Sequence, residues 1–251
     1  MIYTDTHCHL GSVQFDRDRD EVIQRMLEAD VCKAILICCS GHDLQEGIRL
    51  RNRYPEFKLA CGMHPQSLME SDGEERFVHF QNAVQECRPD MIGEIGLDYQ
   101  SHRHTKEIQK AFFEKQLEYA CQLDLPLNIH SRKAVLDTQQ MLRKYPCRGI
   151  IHSYSGSAET AREYVREGWY ISFGASVLFP GARKPAEAVM AVPADHLLIE
   201  TDAPYQSPVP GKRHEPADAV RICRKISEIK GIPEEELCRI MEDNFRKLFR
   251  E

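Results

Sequence analysis

Several features are missing from this 251-residue chain, and each absence removes a class of protein. Met1-Ile2-Tyr3-Thr4-Asp5 has no basic region followed by an apolar run, and nothing approaches the roughly 20 apolar residues of a membrane-spanning helix, so neither secretion nor membrane insertion is expected. Cys-x-x-Cys is absent. The ten cysteines are scattered, only Cys38 and Cys39 are adjacent, and Cys38 and Cys61 stand in apolar runs where a thiol packs as a small hydrophobe. They read as reduced thiols of a cytoplasmic protein. Excess positive charge is absent too. Lys and Arg number 33 against 39 Asp and Glu, a formal net charge of −6, which argues against a surface that coats long nucleic acid. It does not exclude a nuclease whose divalent ions bring positive charge to a docked phosphate. With no low-complexity stretch and no convincing linker, residues 1–251 are expected to form one domain.

What is present is a repeated strand–helix pattern. Short runs rich in Ile, Val, Leu and Cys occupy residues 2–7, 34–39, 58–62, 91–96, 127–130, 149–152, 170–173 and 197–200. They are mostly unalternated, as parallel strands buried on both faces are. Between them the apolar residues recur at intervals of three and four, for example Val22, Ile23, Met26 and Leu27, or Phe77, Phe80, Ala83 and Val84, which mark one face of a helix. Helices are expected at residues 16–28, 43–54, 74–87, 108–122, 134–144, 158–167, 185–192 and 217–230. A further C-terminal helical region, 233–249, opens with Pro233 and three glutamates that suit a helix N-terminus. Eight such units in about 250 residues predict a (β/α)8 TIM barrel. A doubly wound sheet would carry a Gly-rich turn after its first strand, where this chain has Thr6-His7-Cys8-His9. The Pro- and Gly-containing stretch 204–216 reads as a loop over the barrel mouth.

The unusual polar residues fall at the strand ends. His7 and His9 close the first strand, Glu94 the fourth, His130 the fifth and His152 the sixth; Asp202 follows the eighth. Each alone has an ordinary explanation: a strand-end histidine is often structural, Glu94 could form an ion pair, and Asp202 could cap a turn. Hydrophobic packing does not require all of them at one end, and in a barrel those ends converge on the mouth where active sites lie. Residues 7 and 9 are two apart and leave an extended chain on the same side. Imidazole and carboxylate suit borderline divalent ions such as Zn²⁺, Mn²⁺ or Co²⁺. Six ligands exceed what one catalytic ion takes, which predicts two ions bridged by Glu94. His64, after the third strand, is a candidate substrate contact. Lys212, Arg213 and His214 in the mouth loop are candidates for a phosphate. His42, His79 and His196 read as surface or packing residues, His102 and His104 receive no role, and Trp169 is expected to pack at the start of the seventh strand.

Six motifs, in order along the chain, resemble the TatD family of metal-dependent deoxyribonucleases: Asp5-Thr6-His7-Cys8-His9-Leu10, Gly93-Glu94-Ile95-Gly96-Leu97-Asp98-Tyr99, Ile129-His130-Ser131-Arg132, His152-Ser153-Tyr154-Ser155-Gly156, Glu200-Thr201-Asp202-Ala203-Pro204 and Gly211-Lys212-Arg213. The resemblance implies a TIM barrel of the amidohydrolase-like superfamily, two divalent ions (Zn, Mn, Mg or Co) and hydrolysis of DNA phosphodiesters, often from the 3′ end. It implies His7, His9 and Asp202 on one ion, His130 and His152 on the other, and Glu94 between them. Lys133, Ser153 with Tyr154, and His214 depart from the family's usual residues, all beside the ligands and not among them. The expected activity is therefore a deoxyribonuclease acting through a water activated between two ions. Asp202 serves as base, Glu94 as bridge, and Arg132, Lys212 and Arg213 hold a neighbouring phosphate. DNA is the expected partner, with no obligate protein partner. Two rivals are a hydrolase of another ester or amide, such as an aminoacyl-tRNA ester, and a non-catalytic barrel that binds nucleic acid or protein.

Overall fold

The computed structural model describes residues 1–68, 72–100 and 105–251. His102 and His104 lie outside them. The apolar runs form strands β1 (Tyr3–Cys8), β2 (Val31–Cys38), β3 (Phe57–Cys61), β4 (Met91–Asp98), β5 (Leu127–Arg132), β6 (Gly149–Ile151), β7 (Tyr170–Phe173) and β8 (Leu197–Ile199). They lie side by side in chain order, every hydrogen-bonded pair parallel. β1 and β4 are buried at every position, which explains why neither alternates apolar with polar residues.

The connecting helices are α1 (Arg19–Glu28), α2 (Gly41–Arg53), α3 (Gly73–Cys87), α4 (Lys106–Leu123), α5 (Val135–Leu142), α6 (Ala158–Arg166), α7 (Arg183–Ala191) and α8 (Ala219–Lys230), followed by α9 (Glu234–Phe249). Local chemistry sets their limits. The side chains of Ser40 and Ser157 accept backbone N–H groups at the starts of α2 and α6, and α8 stops at Gly231 in a left-handed conformation. Glu234, Glu235 and Glu236 open α9 while Arg246 and Lys247 close it, both matching the helix dipole.

The eight-stranded barrel is nearly closed. Between β8 and β1 the closure runs largely through side chains. Asp5 accepts Thr201 N–H at 2.9 Å and Thr201 Oγ1–H at 2.5 Å, while Thr6 Oγ1 donates to Ile199 O at 2.9 Å. Beyond the strand ends, Asp202 N–H reaches His7 O at 2.9 Å and His9 N–H reaches Ala203 O at 2.7 Å. At the opposite end α9 packs against the strand starts: Tyr3 donates to Glu234, Lys33 pairs with Glu242, and Asn244 donates to Ala194 O and Leu197 O. Among the described residues no helix is long and apolar enough to cross a membrane, and all ten cysteines are free thiols.

The strand limits differ from the sequence reading where pairing continues or a turn intervenes. β4 and β5 extend to Asp98 and Arg132 because Leu97 pairs with Ser131 and Asp98 with Arg132. β6 and β8 end just before His152 and Glu200, where the chain turns through Ser153 and Asp202, both at positive φ. Trp169 is buried beside the start of β7, and the described part of the loop after β8, residues 204–216, contains no helix or strand before its final 3-10 turn.

Candidate metal centre

The expected strand-end residues meet in one buried cluster. His7 lies in β1, where register shifts between Asp5 and Cys8, and Glu94 lies in β4 at a second irregularity between Ile92 and Ile95. Such bulges re-aim side chains at a barrel rim. His130 comes from β5; His152, His9 and Asp202 come from the residues just beyond β6, β1 and β8. Asp202 takes φ 62°, a left-handed conformation that Asp tolerates better than most residues.

Glu94 divides the cluster. Its Oε2 faces His7 Nε2 at 3.6 Å and His9 Nε2 at 4.0 Å. Its Oε1 faces His130 Nδ1 at 2.6 Å, His152 Nε2 at 2.7 Å and His64 Nε2 at 3.4 Å. Asp202 Oδ1 completes the first side, 3.5 Å from His7 Nε2 and 3.3 Å from His9 Nε2. His7 and His152 stack across the divide with ring centroids 3.9 Å apart. The ligand atoms fall into three overlapping sets, His7–His9–Asp202, His7–Glu94–His152 and His64–Glu94–His130, each within 4.8 Å. Atoms bound to one ion at about 2.0–2.2 Å lie within such a span of one another.

The surroundings favour metal-ready tautomers. His7 Nδ1 donates to Asn128 Oδ1 at 2.9 Å, which leaves Nε2 unprotonated toward the cluster. Burial lowers the His7 pKa to about 3, so the ring is a neutral donor at ordinary pH. Glu200 Oε1 lies 3.3 Å from His152 Nδ1, a carboxylate behind a histidine as in many metal sites. Asp98 Oδ2 lies 3.4 Å from His130 Nε2. Burial opposes charge on Glu94, but His152, His64, His130 and His7 outweigh it and hold Glu94 well below the usual carboxylate range. Asp202 is likewise held at about 2: burial opposes, and His9 and His7 prevail. Burial also disfavours the imidazoliums of His130 and His152, yet Glu94 with Asp98 or Glu200 raises both above an ordinary histidine. Four imidazoles and two carboxylates fit borderline divalent cations.

The remaining candidates separate. His64 accepts Gln66 N–H on Nδ1 at 3.2 Å, so its neutral ring carries the proton on Nε2 and points a donor at Glu94. It lines the cavity, and in that tautomer it is a hydrogen-bond donor toward Glu94. Arg132 lines the same mouth, a cavity of about 980 Å³. Lys212 and Arg213 do not. The Arg213 guanidinium is bound by Asp18 and Glu215 and sits over the Phe15 ring at 4.4 Å, so its charge is already spent inside the fold. His214 is buried and donates from Nδ1 to Tyr205 O at 3.0 Å, which anchors the mouth loop. Asn128, Glu200 and Gln206 were not anticipated. Gln206 donates to Asp202 Oδ2 and, at 3.0 Å, to Ser153 Oγ. An amide inside Leu127-Asn128-Ile129 was a readable signal, since a strand interior seldom holds one without a partner. Gln206 carried no such signal, because its partner is set by the loop's path.

The sequence model of the family described as TatD related DNase matches residues 4–250. An uncharacterized metal-dependent hydrolase of Bacillus subtilis, YabD, is 36% identical over 251 residues, covering 98% of each chain. The human deoxyribonuclease TATDN3 is 30% identical over 260 residues, covering 98% of this chain and 93% of that one. The crystal structure of YJJV, a TatD homolog from Escherichia coli, superposes with TM-score 0.88 at 27% identity, covering 99% of this chain and 98% of that one.

Proposed function

The chain belongs to the TatD-related DNase family of metal-dependent hydrolases, and from that premise we propose that it hydrolyses phosphodiester bonds of DNA, from the 3′ end, with two divalent ions held by His7, His9, Glu94, His130, His152 and Asp202. The observation that carries this reading is the division of Glu94. One carboxylate oxygen faces His7 and His9, the other His130 and His152. Bound there, two divalent ions supply Lewis acidity that makes water easier to deprotonate and offsets charge on the nonbridging phosphate oxygens. The protein's own residues do the rest. Asn128 and Glu200 fix the rings of His7 and His152, so little reorganisation accompanies the reaction. Asp202 takes one proton from the water as its oxygen bonds to phosphorus, one P–O ester bond breaks, and that proton passes to the departing alkoxide. Asp202 Oδ1 is committed to the histidine side, so the accepting oxygen is Oδ2, where Gln206 now donates. His64 offers Nε2–H beside Glu94, within the cavity that His9, His130, His152 and Asp202 also line.

The test is hydrolysis of end-labelled single-stranded DNA with Mg²⁺, Mn²⁺, Co²⁺ or Zn²⁺, alongside a panel of carboxyl esters. A ladder shortening from the 3′ end is expected, abolished in Glu94→Ala together with loss of at least one bound ion. Turnover of esters without DNA would move the substrate class; a Glu94→Ala protein with full metal content would remove the bridge.

A further inference from the structure

We propose that Arg132, Lys133 and Lys184 form a subsite for a second phosphate of the substrate, beside the one being cleaved. This deepens the phosphodiesterase reading above and rests on it. All three side chains line the cavity that also contains Glu94, His130, His152 and Asp202. All three are exposed, and among the described residues none forms an ion pair. Two other cations near the mouth are neutralised: Arg19 by Asp16 and Glu46, Arg213 by Asp18 and Glu215.

Their placement suits an anion. Three like charges line one cavity, and like charges gathered there favour an anion between them. Lys184 stands in the first turn of α7, which has no acidic residue, at the end of the helix dipole that favours anions. Lys133 has φ 56°, a left-handed conformation uncommon for a lysine, which carries the chain from β5 toward α5 beside the cavity. Arg132 offers a planar fork for phosphate oxygens and the lysines offer point charges. Tyr205 lines the same cavity, is 46% exposed and packs T-shaped with His9, an aromatic ring suited to stacking with a nucleobase. A second phosphate flanked by a base describes an oligonucleotide better than a small ester. The oxyanion could come from the next internucleotide linkage or from a terminal phosphate.

The experiment compares wild type, Lys133→Gln, Lys184→Gln, the double variant and Lys184→Glu on four substrates. These are bis(p-nitrophenyl) phosphate, a deoxydinucleotide with and without a 5′-phosphate, and a tetranucleotide with hydroxyl ends. On the tetranucleotide, kcat/KM of the double variant should fall at least tenfold further than on the small diester, chiefly through KM. The slope of log KM against log salt should shrink by about 1.4, two contacts at about 0.7 each for single strands. Lys184→Glu should lose more than Lys184→Gln at equal thermal midpoint. A differential loss on the tetranucleotide, which carries no terminal phosphate, assigns the subsite to an internal linkage; one confined to the 5′-phosphorylated dinucleotide assigns it to a terminal phosphate. Equal losses on every substrate, or an unchanged salt slope, overturn the subsite while leaving the phosphodiesterase reading intact. A wild type that hydrolyses none of the four overturns that reading and this inference with it.

Discussion

His7, His130 and His152 show how one residue type is set to different protonation states by its surroundings. Burial and the neighbouring His152 depress His7 to about 3, so it is a neutral donor at any working pH. His130 and His152 are held above the ordinary histidine value because Glu94 outweighs burial. A metal ligand must be unprotonated. The sign follows directly: ions entering the Glu94–His130–His152 side near pH 7 displace protons, and apparent affinity rises with pH until the raised histidine pKa values are passed. His7 contributes nothing to this above about pH 4. Calorimetric titration of metal into metal-free protein, in two buffers of different ionisation enthalpy, should therefore give different apparent enthalpies at pH 7. Identical enthalpies in the two buffers would show that these rings are already neutral.

At the level of elements, each ligand owes its position to how strands abut. β4 and β5 approach so closely that a Cβ built on Gly96 would stand 2.0 Å from His130 O, and Gly96 itself has φ 141°, a conformation that disfavours any other residue. Gly96→Ala should thus destabilise the fold by more than about 1 kcal/mol, because alanine is strained at positive φ and the His130 backbone must move. Urea unfolding reads the first effect, and bound metal per chain reads the second. Normal metal content in a destabilised variant would mean that β5 absorbs the shift without turning His130. The seam between β8 and β1 works through Asp5, whose carboxyl burial raises to about 7 against the three N–H and O–H donors of Thr201 and His7. It ties the His7 strand to the chain that carries Asp202.

Across the whole molecule the two barrel ends have different work. α9 covers the strand starts with apolar contacts and the Asn244 hydrogen bonds, while the candidate ligands crowd the strand ends. Two carboxylates and four histidines confined in one cluster repel or protonate one another until ions join them, so binding should stabilise the folded state by mass action. At free metal a hundredfold above Kd, each ion adds about 2.7 kcal/mol, which for a chain of this size is a rise of roughly 5–10 °C in thermal midpoint. Melting with and without added Mn²⁺ or Zn²⁺ measures the rise, and a chelator should reverse it. A midpoint indifferent to metal would count against the six residues as a metal centre.

The sequence by itself determined the barrel and which strand ends bear ionisable groups, because both are written in local patterns. Short continuous apolar runs alternating with amphipathic segments read as parallel strands buried on two faces, and a histidine or carboxylate after such a run stands at the end of its strand wherever the strand goes. It also carried the family motifs, which lie in contiguous stretches. The tertiary structure alone decided which oxygen of Glu94 faces which histidine, that His64 is a donor, and that Arg213 spends its charge on Asp18 and Glu215 while Lys133 and Lys184 line one cavity with Arg132. The long-range pairings join distant residues: Glu94 and His130 are 36 positions apart, Arg213 and Asp18 195. They depend on bulges in β1 and β4 and on the path of the mouth loop, which no spacing along the chain encodes.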